Sequence, residues 1–422
     1  MRKKHFVWGL FIVAGSAWAI SRFLPKSQPN YSIEKISLEQ PVDHNRPDGD
    51  MLTQYVYILK PNDATSDATV LFVLGGEGYT TEKALVTLYK AYGERPNVII
   101  VYAEHRGYGE SLSMDEDQTV PDYVTVDQAL ADFHAVMQEL KPVYPGKWII
   151  AGYSYSGGLA IAFASRYPDD VAVVLSSSGV VDWPFVMDVY DAKVREILGE
   201  RAYQRLVKHI NNLEPEEMFD QNWLEREFLI AFVHGISQYL EYKPFIPVFN
   251  AATRLPTPML LKVLHGLDNV VAQGSAWDYA ISNGKTTLTR EEALTLKYNW
   301  RVWRYQQCNE IGLFEISAAP NGIFTRTKDD FVAECAALFG ENQPRAAQSP
   351  AWSLDAELTT LTMPLVYVAG ALDPWEALGA KEEQVANGRF FWVPDGHHCQ
   401  DRAEPALGRE VMDTLLRFAE DK

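Results

Sequence analysis

The sequence predicts an α/β chain: a doubly wound, mostly parallel sheet with a helical cap inserted late in the strand order. Two patterns predict it. Short apolar runs at residues 53–59, 70–74, 98–102, 148–151, 171–176, 364–369 and 389–393 read as buried strands, and helix-forming stretches such as 126–140 alternate with the later ones. From Trp183 to about Pro350 that alternation stops, and residues 193–213, 223–242 and 290–307 are helix-like and rich in aromatics. The expected division is core at 30–182, cap at 183–350 and core again at 351–422, with 342–350 as the return linker.

The N-terminus reads as an address. Arg2-Lys-Lys4 precedes an apolar run at 6–20 that is too short to span a bilayer comfortably, and Ala17-Trp-Ala19 fits a small-x-small cleavage site. Export to a periplasmic or extracellular space, with 1–19 removed as a signal peptide, is expected. An uncleaved anchor, with Trp8 and Trp18 at the membrane interfaces, is the alternative. The 422 residues are 47% apolar and 12% aromatic, enough for a large core. A net charge of −18 argues against nucleic acid and anionic membrane surfaces as partners. No metal or cofactor is expected, because no Cys or carboxylate ladder at metal-ligand spacing accompanies the histidines.

The early strand at 70–74 runs into Gly75-Gly76-Glu77-Gly78, where glycines let backbone approach a ligand closely. Later, Trp148-Ile-Ile-Ala-Gly152-Tyr-Ser154-Tyr-Ser156-Gly-Gly158 carries a strand into a small-residue turn and then a helix. A serine at such a junction projects from a strained bend, with the next amide at a helix N-terminus pointing at whatever the serine attacks. Two serines compete. Ser154 has Gly152 two residues before it and Ser156 two after; Ser156 has Ser154 before it and Gly158 after. The Tyr167-Pro168 turn that closes the helix stands at the usual distance from Ser154 for an α/β-hydrolase, so Ser154 is the predicted nucleophile.

That fold orders its catalytic residues as serine, then acid, then histidine, on loops after late strands. The strand at 364–369 leads to Leu372-Asp373-Pro374-Trp375, and the strand at 389–393 leads to Pro394-Asp-Gly396-His397-His398. A serine hydroxyl becomes a nucleophile when a neutral imidazole takes its proton, and a carboxylate on the other ring nitrogen fixes the tautomer. Ser154, Asp373 and His397 are the predicted triad, with the oxyanion held by the amides of Tyr155 and Gly76.

Several segments together resemble the prolyl carboxypeptidase and dipeptidyl-peptidase II family of secreted serine exopeptidases. Gln40-Pro-Val-Asp43-His44, Glu104-His105-Arg106, Thr125-Val-Asp-Gln128-Ala-Leu-Ala-Asp132, Trp303-Arg-Tyr-Gln-Gln307-Cys308-Asn-Glu310, Leu372-Asp373-Pro374-Trp375 and His397-His398 each match a family motif, in order, from about residue 40 to 402. In the last motif the family's first histidine is catalytic, which implies His397. Tyr153 and Ser156 replace two elbow glycines, and Gly76 stands where the family has Asn. Glu77-Gly78-Tyr79 and Lys141-Pro-Val-Tyr144-Pro-Gly-Lys147-Trp148 are similar to secreted tripeptidyl aminopeptidases. The resemblance also implies a Cys308–Cys335 disulfide, leaving Cys399 free, and a proline-sized pocket lined by Trp375 and Tyr155.

A cap narrows access so that only a chain end reaches the serine. A free amine there calls for a carboxylate, and Glu77 and Glu310 are its candidates. The expected function is therefore a secreted serine exopeptidase acting on short peptides, releasing N-terminal di- or tripeptides after proline. The alternatives are a Pro-X carboxypeptidase, a carboxylester hydrolase with the same triad, and a catalytically silent binding protein on this fold.

Overall fold

The computed structural model describes residues 30–111, 120, 122–183, 186–271, 275–284, 300–317, 322–340, 353–385 and 387–421. The N-terminal signal or anchor, the linker at 342–350 and the first part of the expected 290–307 helix lie outside the described residues.

Among the described residues, eight strands form one sheet. They are β1 (Tyr31–Pro41), β2 (Met51–Pro61), β3 (Thr69–Leu74), β4 (Val98–Ala103), β5 (Trp148–Tyr153), β6 (Val173–Ser177), β7 (Leu365–Gly370) and β8 (Arg389–Val393), in the order β1-β2-β4-β3-β5-β6-β7-β8. β1 and β2 pair antiparallel with each other, as do β2 and β4; every other pair is parallel. Central strands of such a sheet are covered on both faces and so read as unbroken apolar runs. Side-chain alternation sends Val70, Phe72, Ile99 and Val101 to one face and Leu71, Val73, Ile100 and Ile149 to the other. Helices α2 (Val126–Leu140) and α3 (Tyr155–Arg166) cover the first face, where Phe72 meets Phe133 and Phe163 edge-on. Helix α1 (Glu82–Ala91) and the C-terminal helix α13 (Pro405–Glu420) cover the second, through Leu85, Leu88, Val411 and Leu415.

Between β6 and β7 the chain leaves the sheet for α4 (Asp188–Leu198), α5 (Glu200–Asn211), α6 (Gln221–Gln238), α7 (Ile246–Ala252), α8 (Thr257–Val271), α9 (Ser275–Asn283), α10 (Arg301–Gln306) and α11 (Lys328–Phe339), before α12 (Asp355–Thr360) leads back. The single helix expected over 193–213 is two helices, because Gly199 takes φ +78 and ends α4. The Cys308–Cys335 disulfide joins the end of α10 to α11 with a Cα separation of 5.8 Å, and Cys399 is free and buried. Such bonds persist in oxidising compartments.

Three of the motifs that carry the resemblance converge on one buried carboxylate, Asp132. Arg106 donates to both oxygens of Asp132 at 2.6 Å, and His44 Nε2 lies 2.7 Å from Asp132 Oδ1. Gln128 donates to Asp43 and accepts from the His44 amide. A buried guanidinium bonded to both carboxylate oxygens satisfies two charges at once. It ties the start of the chain to α2 and to the loop after β4.

Candidate functional site

β5 ends at Tyr153 and α3 begins at Tyr155, so Ser154 alone makes the turn, at φ 57° and ψ −127°. A positive φ at a non-glycine residue is strained, and it turns the hydroxyl away from the sheet. The bend closes because residue 152 is glycine: a β-carbon there would lie 1.8 Å from the Ser156 carbonyl oxygen. Ser156 has a different place. Its Oγ accepts from the Tyr153 amide at 2.9 Å and donates to the Tyr153 carbonyl at 3.0 Å, so it braces the turn from inside. The first amides of a helix lack intrahelical acceptors. Gly76 packs against the start of α3, where a β-carbon would be 3.3 Å from Ser156 Cβ. The loop after β3 thus lies against the first turn of α3.

Asp373 follows β7, and its two oxygens are both engaged. Oδ1 accepts from the Trp375 amide at 2.9 Å, and Oδ2 accepts from His398 Nδ1 at 2.8 Å. The expected pairing of Asp373 with His397 is thus corrected to His398. The backbone decides it. The His398 amide donates to the Gln238 carbonyl at the end of α6, the Cys399 amide donates to Ser178 Oγ, and Cys399 itself is left-handed at φ 51°. Pinned at two successive amides, the loop turns His398 to Asp373 and sends His397 elsewhere. Both ring nitrogens of His397 are buried without a hydrogen-bond partner among the described residues. Burial holds the His397 pKa below the usual imidazole value, with Lys243 adding to the effect. Burial opposes the charged form of His398 too, but the Asp373 carboxylate outweighs it and raises the pKa well above the ordinary value.

Ser154 and His398 line one cavity of about 490 Å³, roofed by the inserted helices. Gly76, Glu77, Tyr155 and Trp375 line it as well. One wall is aromatic: Tyr155 lies 5.1 Å from Trp303, Trp303 lies 6.1 Å from Trp183, and Trp375 stands 6.1 Å from Trp183, ring centre to ring centre, with Tyr190 packed against Trp375 at 4.7 Å. Tilted and edge-on contacts of this kind hold large apolar faces rigidly. Trp183 gave no signal in the sequence, since an isolated aromatic at the start of a helical insertion reads as core. Trp303 opened a recognised motif, but nothing there placed it in the cavity.

The two acidic candidates separate. Glu77 sits at the cavity, where burial raises its pKa and His398 and Arg402 act to lower it. Glu310 does not line the cavity. Its two oxygens accept from the Val126 amide at 2.8 and 3.0 Å, and Gln306 Nε2 donates to it at 3.3 Å. It caps the positive end of α2, where a carboxylate is favoured. Burial pushes its pKa up to about 7 against those bonds. Glu310 is therefore a brace for α2 and not a reader of a substrate amine. The sequence reading missed Arg402, which also lines the cavity with its guanidinium 4.6 Å from the centre of the Tyr153 ring. Its signal was its place in the His-His-Cys-Gln-Asp-Arg run, four residues after His398.

A family model described as serine carboxypeptidase S28 matches residues 40–214 and 263–411. A lysosomal Pro-X carboxypeptidase of Homo sapiens is 31% identical over 93% of this chain and 87% of its own length. One from Bos taurus is 25% identical over 96% of this chain and 90% of its own. Among solved structures, a proline iminopeptidase from Mycobacterium smegmatis aligns with 92% of this chain and 99% of its own at 14% identity, with a TM-score of 0.43.

Proposed function

Because the chain belongs to the serine carboxypeptidase S28 family and is a serine-type exopeptidase, we propose that it removes the C-terminal residue from peptides by cutting after proline. The observation that carries this reading is the convergence of Ser154 and the His398–Asp373 pair on one aromatic-walled cavity beneath the inserted helices. The choice of terminus rests on the relatives, which are Pro-X carboxypeptidases and favour that alternative over N-terminal release. The case for an amine reader has also lost Glu310 to the end of α2. Glu77 at the cavity favours the second reading, N-terminal di- or tripeptide release, as does the likeness of residues 77–79 and 141–148 to tripeptidyl aminopeptidases. Export is supported by the same kinship and by the disulfide.

In the proposed mechanism, the neutral form of His398, which its raised pKa places at higher pH, takes the Ser154 proton at Nε2 while Oγ adds to the carbonyl carbon of proline. The oxyanion is held by the amides of Tyr155 and Gly76. Asp373 keeps the Nδ1 proton in place and stabilises the imidazolium that forms. His398 then gives its proton to the leaving nitrogen as the C–N bond breaks, and the released residue departs. A water, deprotonated by His398, adds to the prolyl ester; Oγ leaves and recovers the proton. The aromatic wall suits a flat, apolar proline ring.

Mass spectrometry of the products from one Pro-X peptide, free and blocked at each end, tests the reading. An N-acetylated peptide should still lose its last residue, and a C-terminal amide should be cut slowly. Release of N-terminal fragments, stopped by acetylation, would reverse the assignment.

A further inference from the structure

A second cavity opens in the inserted helices, away from Ser154. It has a volume of about 490 Å³ and lies between the end of α5, the start of α6 and the first turns of α11. A space of this size suits a small molecule. It shares no lining residue with the active cavity. Arg326 stands between the two: it lines the second cavity and lies 3.7 Å from Glu315, which lines the first. The stretch 215–262, which supplies Trp223 and Arg226 to the second cavity, falls outside the residues that the family model matches.

Its two arginines are used unequally. Arg326 donates to Glu334 at 2.6 Å and to Glu227 at 2.7 Å, and Trp223 Nε1 donates to the other oxygen of Glu334 at 3.0 Å. Arg226 is 8% exposed, and its side chain makes no hydrogen bond among the described residues. No carboxylate among them comes closer than that of Glu227, 4.0 Å from its Nε. Burial lowers the Arg226 pKa, Glu227 acts against that, and Arg326 adds to it. Thr325 Oγ1, in the same lining, is also buried without a partner among the described residues. A guanidinium and a hydroxyl in this condition cost free energy until something in the cavity bonds them.

The mouth has the opposite sign. Glu214, Glu216 and Glu217 border the cavity and are exposed, and none forms an ion pair among the described residues. Asp220 Oδ2 accepts from the Glu216 and Glu217 amides at 2.8 and 3.2 Å, which fixes the loop that carries them. A simple anion drawn to Arg226 would meet these carboxylates. A molecule with one charge of each sign satisfies both, and Ile210 and Ala333 give its apolar part a wall.

We propose that this cavity binds a small zwitterion, a free amino acid or dipeptide with an apolar side chain, whose α-carboxylate pairs with Arg226 and Thr325 and whose α-ammonium faces the acidic mouth. A planar guanidinium bonds a carboxylate through two parallel N–H donors. The chain itself, as an exopeptidase, releases molecules of this class.

Calorimetric titration of the full chain with leucine, leucinamide and N-acetylleucine tests this. Leucine should bind, and loss of its carboxylate or of its amine should weaken binding roughly tenfold or more. Arg226→Gln should abolish leucine binding and melt no lower than wild type, since it removes a buried charge with no bonded partner. Glu216→Gln with Glu217→Gln, on the exposed mouth, should let N-acetylleucine bind nearly as well as leucine. The ligand comparison on wild type and on this mouth variant decides the matter even if Arg226→Gln fails to fold. Leucine and Leu-Leu both failing to bind or to raise the melting temperature at millimolar concentration would leave a hydrated void and overturn the inference. Equal binding of the three ligands, or leucine binding unchanged in Arg226→Gln, would overturn it too, the latter placing the amino acid in the active cavity. A lowered melting temperature in Arg226→Gln with leucine binding intact would make Arg226 a brace.

Discussion

His398 Nδ1 lies 2.8 Å from Asp373 Oδ2, with both side chains buried, although His397 is the adjacent residue. The two histidines share a loop and a composition, yet one meets the acid and lines the cavity while the other is enclosed away from it.

His398→Ala should reduce kcat/KM by a factor on the order of 10⁴, as expected when one member of a coupled catalytic set is removed. His397→Ala removes no contact to Asp373, so its turnover should stay within a few-fold of wild type. Steady-state kinetics and fluorophosphonate labelling on both variants check this. The opposite ranking would return the base to His397.

Ser154→Ala should abolish labelling and turnover, with a loss on the order of 10⁴–10⁶-fold. Ser156→Ala should act on stability instead. It strips the Tyr153 amide and carbonyl of their side-chain partner inside the elbow, which typically costs about 1–3 kcal/mol for a buried group left unpaired. Thermal melts and labelling distinguish the two effects; a Ser156→Ala enzyme that melts normally and cannot be labelled would contradict the assignment.

Glu104 and Glu310 give the fold a pH dependence of definite sign. Burial raises both carboxyls from about 4.5 to about 7. The folded chain therefore holds protons on them that the unfolded chain has lost, so unfolding free energy falls as pH rises from about 4.5 to about 7. A tenfold change in proton affinity is worth about 1.4 kcal/mol, so each group contributes at most roughly 3 kcal/mol across that window. The melting temperature should be higher at pH 5 than at pH 8, and Glu104→Gln or Glu310→Gln should flatten the profile. A melting temperature that climbs from pH 5 to pH 8 would refute this.

Reducing the Cys308–Cys335 bond should destabilise the inserted helices by about 3–4 kcal/mol in the chain-entropy picture. The Cys308→Ser, Cys335→Ser double variant should lose a comparable amount in denaturant titration. An unchanged midpoint would mean that the disulfide adds nothing beyond the packing around Phe314 and Phe331.

The sheet was legible because its central strands are unbroken apolar runs between turn residues. β1 was not read: Ser32, Glu34, Lys35 and Ser37 alternate with apolar residues on an exposed edge, and such a run resembles a polar loop until β2 pairs with it. The elbow was legible because Gly152 and Ser154 meet a local geometric demand. Which histidine faces Asp373 was not, since the answer lies in the left-handed backbone at Cys399 and in amides held by Gln238 and Ser178. Glu310 misled for the same reason. A motif states that a carboxylate is needed, and only the packing of α10 against the start of α2 states what it binds.

The pairing of β6 with β7, from Val174 against Leu365 onward, closes the sheet across the whole cap insertion. In chain order, and so during synthesis, the strand that carries Ser154 precedes the cap, while Asp373 and His398 follow it. A partly synthesised chain therefore exposes a serine with no base to activate it. Proteolytic competence therefore waits on β7 and β8 joining the sheet from beyond the cap.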